Sequence, residues 1–329
     1  MATNGDMSAE DRLIARFFKP VASAPGALGL SDDAAFIKPP AGCDLVLTTD
    51  AIVGGVHFFP DDAAREVASK AMRVNLSDLA AKGASALGFL LSLALPKETG
   101  EAWLEDFAQG LRGDAVLFGC PLFGGDTVRT PGPVTISVAM FGSVPEGTMV
   151  RRAGARPGDR IFVSGSIGDA ALGLALRKGA NWPLDEAQRR HLSSRYLLPQ
   201  PRMALAEAVR RHASAAMDVS DGLAGDLAKL CRVSNAGAEI DVAQVPLSAA
   251  AKAVLAAEPA MLETALTGGD DYEIVCTVPP AKVEGFRAAA QAANVPIAEI
   301  GRIGAGEGVR LRGPGGQAMR FKRVSFSHF

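Results

Sequence analysis

Aspartate stands beside glycine, serine or threonine in six short segments: Ser31-Asp32-Asp33, Thr48-Thr49-Asp50, Asn75-Leu76-Ser77-Asp78, Gly124-Gly125-Asp126, Asp218-Val219-Ser220-Asp221 and Gly268-Gly269-Asp270-Asp271. Carboxylates and hydroxyls on tight turns are ligands for hard divalent cations. Magnesium in particular is held by a few carboxylates together with the phosphates of a bound nucleotide. The segments run from residue 31 to residue 271, so the pattern points to a site assembled from across the fold.

Weighed singly, most segments have a plainer reading. Asp50 ends a strand ahead of Gly54-Gly55 and His57. A carboxylate there points into the crevice where α/β sheets bind ligands, but a turn-capping aspartate fits as well. His57 is by default a polar loop residue, with a catalytic role as the alternative. Gly124-Gly125-Asp126-Thr127 follows Leu122-Phe123, and two glycines let backbone approach a phosphate or metal; plain turns carry the same triplet. Gly268-Gly269-Asp270-Asp271-Tyr272 repeats the device before another strand.

Two segments resist that reading. Asp78 lies inside a helix, where aspartate has poor propensity. Asn75, Ser77 and Asp78 interrupt the apolar Met72, Val74, Leu76 and Leu79, and Ala80, Ala81, Gly83 and Ala84 imply close packing. The expectation is a buried, liganded Asp78. Asp218-Val219-Ser220-Asp221-Gly222 joins an apolar strand (213–217) to a helix (222–235), placing the serine and both acids where helix N–H groups bind anions. An N-cap role for Asp221 leaves Asp218 unexplained.

The elements that position these residues read as mixed α/β. Strands are expected at 44–50, 86–95, 134–143, 160–164, 272–278 and 297–303. Helices are expected at 62–82, 101–116, 169–178, 185–195, 202–212, 222–235 and 280–293. Ser8 and Asp11 cap a short helix through Leu13, Ile14, Phe17 and Phe18, ended by Pro20. The turn-rich, basic stretch around Arg151-Arg152 and Pro157-Gly158-Asp159 sets a boundary near residue 150, giving domains 1–150 and 151–329.

Composition narrows the function. A chain of 329 residues suits two domains. A net charge of −2 offers no basic footprint for nucleic acid or an anionic membrane. Cys43, Cys120, Cys231 and Cys276 are widely separated and read as reduced thiols. Asp6, Glu10 and Asp11 precede the first apolar cluster, unlike a signal peptide, and the apolar run 84–96 is too short for a spanning helix. A cytoplasmic location is expected. The chain lacks G-x-x-x-x-G-K-[ST], H-R-D, D-F-G, G-x-S-x-G and H-E-x-x-H, which excludes P-loop, protein-kinase, nucleophile-elbow and zincin readings. Four histidines with no paired spacing make zinc chemistry a poor fit.

In this order the motifs resemble the ATP-binding superfamily of aminoimidazole ribonucleotide synthetase and selenophosphate synthetase, and within it the thiamine-monophosphate kinases. The resemblance covers nearly the whole chain. It rests on Ser31-Asp32-Asp33-Ala34-Ala35, Thr48-Thr49-Asp50 with His57-Phe58, Asn75-Leu76-Ser77-Asp78-Leu79-Ala80, Gly124-Gly125-Asp126-Thr127, Arg152-Ala153-Gly154-Ala155, Asp218-Val219-Ser220-Asp221-Gly222-Leu223 and Gly268-Gly269-Asp270-Asp271-Tyr272-Glu273. The resemblance implies an α/β fold of two domains with mixed sheets, the N-terminal domains pairing into a homodimer. It implies Asp33, Thr48, Thr49, Asp50, Asp78, Asp126, Asp218 and Asp221 as ligands of several Mg2+ ions, the six aspartates being catalytic in that sense. It also implies Gly125, Asp126, Arg152 and Ser220 as nucleotide contacts, and His57, Asp270 and Phe326 as substrate contacts. Ser31 stands where glycine is usual, and Asp270 where glutamate is common, one methylene shorter.

The implied reaction is ATP plus thiamine monophosphate giving thiamine diphosphate and ADP. Both reactants are phosphates, so anion repulsion is the main obstacle, and clustered aspartates holding magnesium suit it. The attacking oxygen is already ionised near neutral pH, which fits a chain poor in histidine. Two alternatives stand beside this reading: another ATP-dependent enzyme of the superfamily, and a non-catalytic divalent-ion or nucleotide-binding protein.

Overall fold

The computed structural model describes residues 12–313, 315–319, 321 and 325. They divide into two compact units. One holds the described residues up to Leu76 with Ala86–Glu146, the other Ser77–Ser85 with the residues from Gly147 onward.

The first unit is built on β1 (Cys43–Val53), β2 (Ser85–Leu95), β3 (Leu122–Arg129) and β4 (Thr135–Pro145), in the order β1-β4-β2-β3. β1 and β4 are antiparallel, from Cys43↔Pro145 to Val53↔Thr135, and β2 and β3 are parallel. Helices α1 (Ala64–Ala81) and α2 (Glu101–Leu117) belong to the same stretch of chain. Val67, Ala71 and Val74 of α1 are buried, as are Leu104, Phe107 and Leu111 of α2, at the i, i+3, i+4 spacing of an amphipathic helix. Arg73 ties the two helices together, donating to Asp114 from Nε at 2.7 Å and Nη2 at 2.8 Å. Because strand side chains alternate, β4 buries Ile136, Val138 and Met140 on one face. The opposite face of the sheet leaves Leu45, Leu47, Leu90 and Val128 exposed.

The second unit is a seven-stranded mixed sheet of β5 (Arg160–Ser164), β6 (Ala215–Asp218), β7 (Gly237–Asp241), β8 (Ile274–Val278), β9 (Ile297–Gly304), β10 (Gly308–Arg312) and β11 (Ala318–Met319). Its order is β11-β10-β7-β9-β5-β8-β6; β10 and β7 are parallel and the other neighbours antiparallel. Its central strands are buried on both faces. Ile161, Val163, Met217 and Val275 join Leu223, Leu227 and Leu230 of α6 (Leu223–Val233) in one core. The alternate residues Phe162, Ala216, Ile274 and Cys276 join Val209 of α5 (Ala206–His212) and Phe286 of α9 (Val283–Ala292) in another. A satellite core holds Leu172, Trp182, Leu192 and Val254, from α3 (Asp169–Arg177), α4 (Glu186–Leu197), α7 (Ala249–Ala257) and their connections; α8 (Met261–Thr267) adds Ala265.

The expected mixed α/β order holds, with several differences in detail. Gly124-Gly125-Asp126-Thr127, for which a plain turn stood as the alternative to a phosphate or metal approach, lies within β3; pairing with β2 overrides weak glycine propensity, and a Cβ at Gly125 would stand 1.8 Å from Leu91 O. Asp50 lies within β1, opposite Val138, rather than at its end. The N-terminal helix is a π-type turn, Ile14–Phe18, and the chain continues past Pro20 as a 3-10 turn, Lys19–Val21. Ser8 and Asp11 fall outside the described residues. No helix among the described residues is long and apolar enough to cross a membrane.

Candidate active site

In the second unit β6 delivers Asp218 to a fully enclosed position beside the last turn of α1, which carries Asp78. Burial, then the charges of Asp78 and Asp226, push the Asp218 carboxyl well above the usual carboxylate range; the Ser77 hydroxyl and Lys82 oppose them. A buried charge among like charges is costly unless compensated. Asp78 itself is only half-buried, whereas Asn75 and Ser77 are fully enclosed. This corrects the expectation of a buried Asp78: the helix turns its neighbours inward and leaves Asp78 at the margin.

The cation nearest in effect is Lys82. Its Nζ donates to Ala216 O at 2.8 Å. Burial, with a contribution from Arg152, pushes the Lys82 ammonium down to about 8, against the pull of Asp218 and Asp78. Lys82 stands four residues after Asp78, one helical turn on, and that spacing was the sequence signal for it.

Asp221 is not an N-cap. The N-cap of α6 is Gly222, at φ 105°, with no side-chain cap. Asp221 instead pairs with Lys229, which also holds Asp226 Oδ1 at 2.8 Å. The Asp221 N–H donates to Asp226 Oδ2 at 2.8 Å. Lys229 and Asp226 share a helix face at i, i+3, which their spacing on α6 makes readable.

Ser220 lies in the same turn, which the 268–273 segment meets. Asp270 N–H donates to Ser220 O and Tyr272 N–H to Val219 O, each at 2.8 Å. A Cβ at Gly269 would stand 2.4 Å from Ser220 O, so only glycine admits this approach. Thus Asp78, Asp218, Ser220, Asp221 and Asp270 fall in one neighbourhood of the second unit. Arg152 contributes an exposed side chain in electrostatic reach of Lys82, and its carbonyl accepts from Ser234 Oγ at 3.2 Å.

In the first unit Asp32, Asp33, Ser92, Gly125 and Asp126 line a cleft of about 730 Å³ on the open sheet face, floored by apolar residues that include Leu45 and Leu47. Asp33 and Asp126 are exposed. The pleat sets Thr49 on the face of Leu45 and Leu47, and Thr48 with Asp50 on the other. His57 Nδ1 accepts from Val53 N–H at 3.0 Å, which assigns the ring proton to Nε2 in its neutral form, and the buried Lys70 donates to His57 O at 2.9 Å. Phe326 lies outside the described residues. Among the described residues no group of three or more His, Cys, Asp or Glu side chains stands close enough to hold a metal ion.

The family of the chain follows from comparison with known proteins. Residues 31–144 match the N-terminal domain of AIR synthase related proteins, and residues 156–313 match the C-terminal domain. The thiamine-monophosphate kinase of Caulobacter vibrioides is 46% identical over 300 residues, covering 90% of this chain and 84% of that protein. The chain belongs to the thiamine-monophosphate kinase family. Among solved members of the thiamine-monophosphate kinase family, the Stenotrophomonas maltophilia enzyme superposes with a TM-score of 0.82 at 38% identity, covering 95% of this chain and 98% of that one. AaThiL complexed with AMPPCP and TMP gives a TM-score of 0.76 at 32% identity, with 91% of each chain covered. Membership of this kinase family bears out the motif resemblance.

Proposed function

We propose that this kinase transfers the terminal phosphoryl group of ATP to the phosphate of thiamine monophosphate, giving thiamine diphosphate and ADP. The observation that carries the reading is the family member complexed with AMPPCP and TMP, with 91% of this chain covered.

The donor chemistry fits magnesium. Asp218 is a buried carboxylate whose pKa is raised by burial and then by the charges of Asp78 and Asp226; oxygen-rich, acidic surroundings of this kind are what Mg2+ takes. Asp33, Thr48, Thr49, Asp50, Asp78, Asp126, Asp218 and Asp221 are the residues that would hold the ions. When bound, magnesium supplies charge that offsets repulsion between the two phosphates and orients them in line.

The chain's own groups do the rest. Gly125, Asp126 and Ser220 set the nucleotide, and the planar Arg152 guanidinium donates to its phosphates. His57 and Asp270, with Phe326, contact the substrate. No residue need remove a proton, because the acceptor oxygen is ionised at neutral pH.

The domain reading assigns nucleotide binding and dimerisation to residues 1–150 and the larger α/β domain to 151–329. A homodimer is supported by the exposed Leu45, Leu47, Leu90 and Val128 on one sheet face. Free cysteines, three of four buried, suit a reducing cytoplasm. The test is ADP release with Mg2+, with and without thiamine monophosphate: acceptor-dependent release supports the reading. Release that is independent of the acceptor, or none, contradicts it.

A further inference from the structure

Gly269, Asp270 and Tyr272 hold φ of 79°, 64° and 50°. A tyrosine in the left-handed region is an outlier that persists only where its surroundings over-determine it. One side of this turn is laced to the segment that carries Asp218, Ser220 and Asp221. Besides the two bonds to Ser220 O and Val219 O, Val219 N–H donates to Glu273 O at 2.8 Å. The Ser77 hydroxyl, next to Asp78, donates to Tyr272 O at 3.3 Å.

The other side is tethered by two buried acids that the phosphoryl-transfer reading leaves unused. Both oxygens of Asp271 accept from Gly168 N–H at 2.9 Å, at the N-terminus of α3, whose dipole favours an anion. Glu273 receives Ser164 Oγ at 2.6 Å, Arg195 Nη2 at 2.7 Å and Arg202 Nε at 2.6 Å. The two tethers differ in kind. Glu273 is fully paired, as a buried structural acid must be. Among the described residues Asp271 has one N–H donor, and burial pushes its carboxyl well above the usual range, with Asp169 and Glu273 adding to the shift and Gly168 N–H and Arg195 opposing it. For packing alone an apolar side chain would serve as well at lower cost. What an apolar side chain lacks is the acceptor that pins the turn to α3.

We propose that Asp271 is a positioning residue, whose bond to Gly168 N–H holds the strained 269–272 turn and so sets Asp270, Ser220, Asp221 and the Ser77-Asp78 helix end for phosphoryl transfer. The inference rests on the kinase reading above. It separates into a tether, which any acceptor at this position can make, and a charge, which only aspartate supplies; the tether is the part proposed.

The experiment compares Asp271→Ala and Asp271→Asn with wild type. It reads far-UV circular dichroism and Tm, the Mg2+ concentration that half-raises the Tm of nucleotide-free protein, and kcat and KM for thiamine monophosphate. Asp271→Ala should fold, shift the Mg2+ midpoint about tenfold and lower kcat about a hundredfold, the scale of a misplaced reacting group. Asp271→Asn keeps an oxygen for Gly168 N–H and should return both values to within about threefold of wild type, since the charge is not what positions the turn. An alanine variant with wild-type midpoint and kcat overturns the proposal. So does an alanine variant that loses its fold, or an asparagine variant as impaired as alanine. Failure of the kinase reading shows separately, as a wild-type protein without acceptor-dependent ADP release, and the Mg2+ midpoint then decides the tether alone.

Discussion

Asp218, sealed at the end of β6, is raised first by that burial and next by the charge of Asp78 on the last turn of α1, and Lys82, one turn beyond Asp78, opposes both. Two acids and a partly desolvated amine are thereby set where the fold gains little from them. Such an arrangement costs stability, and it makes the proposed site testable by stability as well as by turnover.

Replacing Asp218 with asparagine removes a buried charge from beside Asp78 and Asp226 while keeping its shape. Without metal, the Asp218→Asn protein should melt higher than wild type by about 2–4 °C, the shift that roughly 1 kcal/mol gives a domain of this size. Its turnover should fall by at least about a hundredfold. Differential scanning calorimetry and an ADP-release assay read the two effects; a lower Tm without metal would count against uncompensated charge at this position.

The same pair fixes a pH dependence. The folded-state pKa of Asp218 lies above its unfolded value, so between those two values the folded protein binds more protons than the unfolded one. Stability from this group is therefore complete below the ordinary carboxylate value and is lost as pH rises through the raised one. In metal-free buffer, the Tm advantage of Asp218→Asn over wild type should shrink as pH is lowered toward 5. An advantage that stays constant from pH 8 to pH 5 would exclude Asp218 as its source.

Arg152 is exposed and, among the described residues, bonded through its carbonyl rather than its guanidinium, so its removal should spare the fold. Arg152→Ala is expected to change stability by no more than about 0.5 kcal/mol. It should raise KM for ATP about tenfold or more, the loss of one charge-assisted phosphate contact. Steady-state kinetics in ATP and in thiamine monophosphate distinguish this from a general defect, which would move both.

Leu47 is 66% exposed on the open face of the first sheet, alongside Leu45 and Leu90. If that face pairs two copies, Leu47→Asp should convert a dimer to a monomer in light scattering coupled to size exclusion, with secondary structure unchanged. An undisturbed dimer would place the interface elsewhere.

Much of this arrangement was legible in the sequence wherever the signal is local. Val67, Ala71, Val74 and Leu79, with Gly83 as stop, located the helix that carries Asp78, because one helical face buries apolar residues at a fixed period. The strand at 160–164 was readable as a short apolar run. β3 was not, since its glycines carry no strand propensity and only pairing with β2 across the sheet decides it. Asp221 looked like an N-cap because the motif permits it; the partner that claims it, Lys229, lies two turns along α6. Asp271 and Glu273 were invisible as tethers because Gly168, Arg195 and Arg202 lie at least 71 residues away along the chain.

The central claim is transfer of the γ-phosphoryl group from ATP to thiamine monophosphate. Incubating the protein with Mg2+, thiamine monophosphate and ATP labelled in the γ-phosphate, then separating the thiamine esters, tests it most directly. The account predicts label in thiamine diphosphate, one equivalent for each ADP formed, and none when thiamine monophosphate is omitted. Label released only as inorganic phosphate, with no labelled thiamine diphosphate, would contradict it.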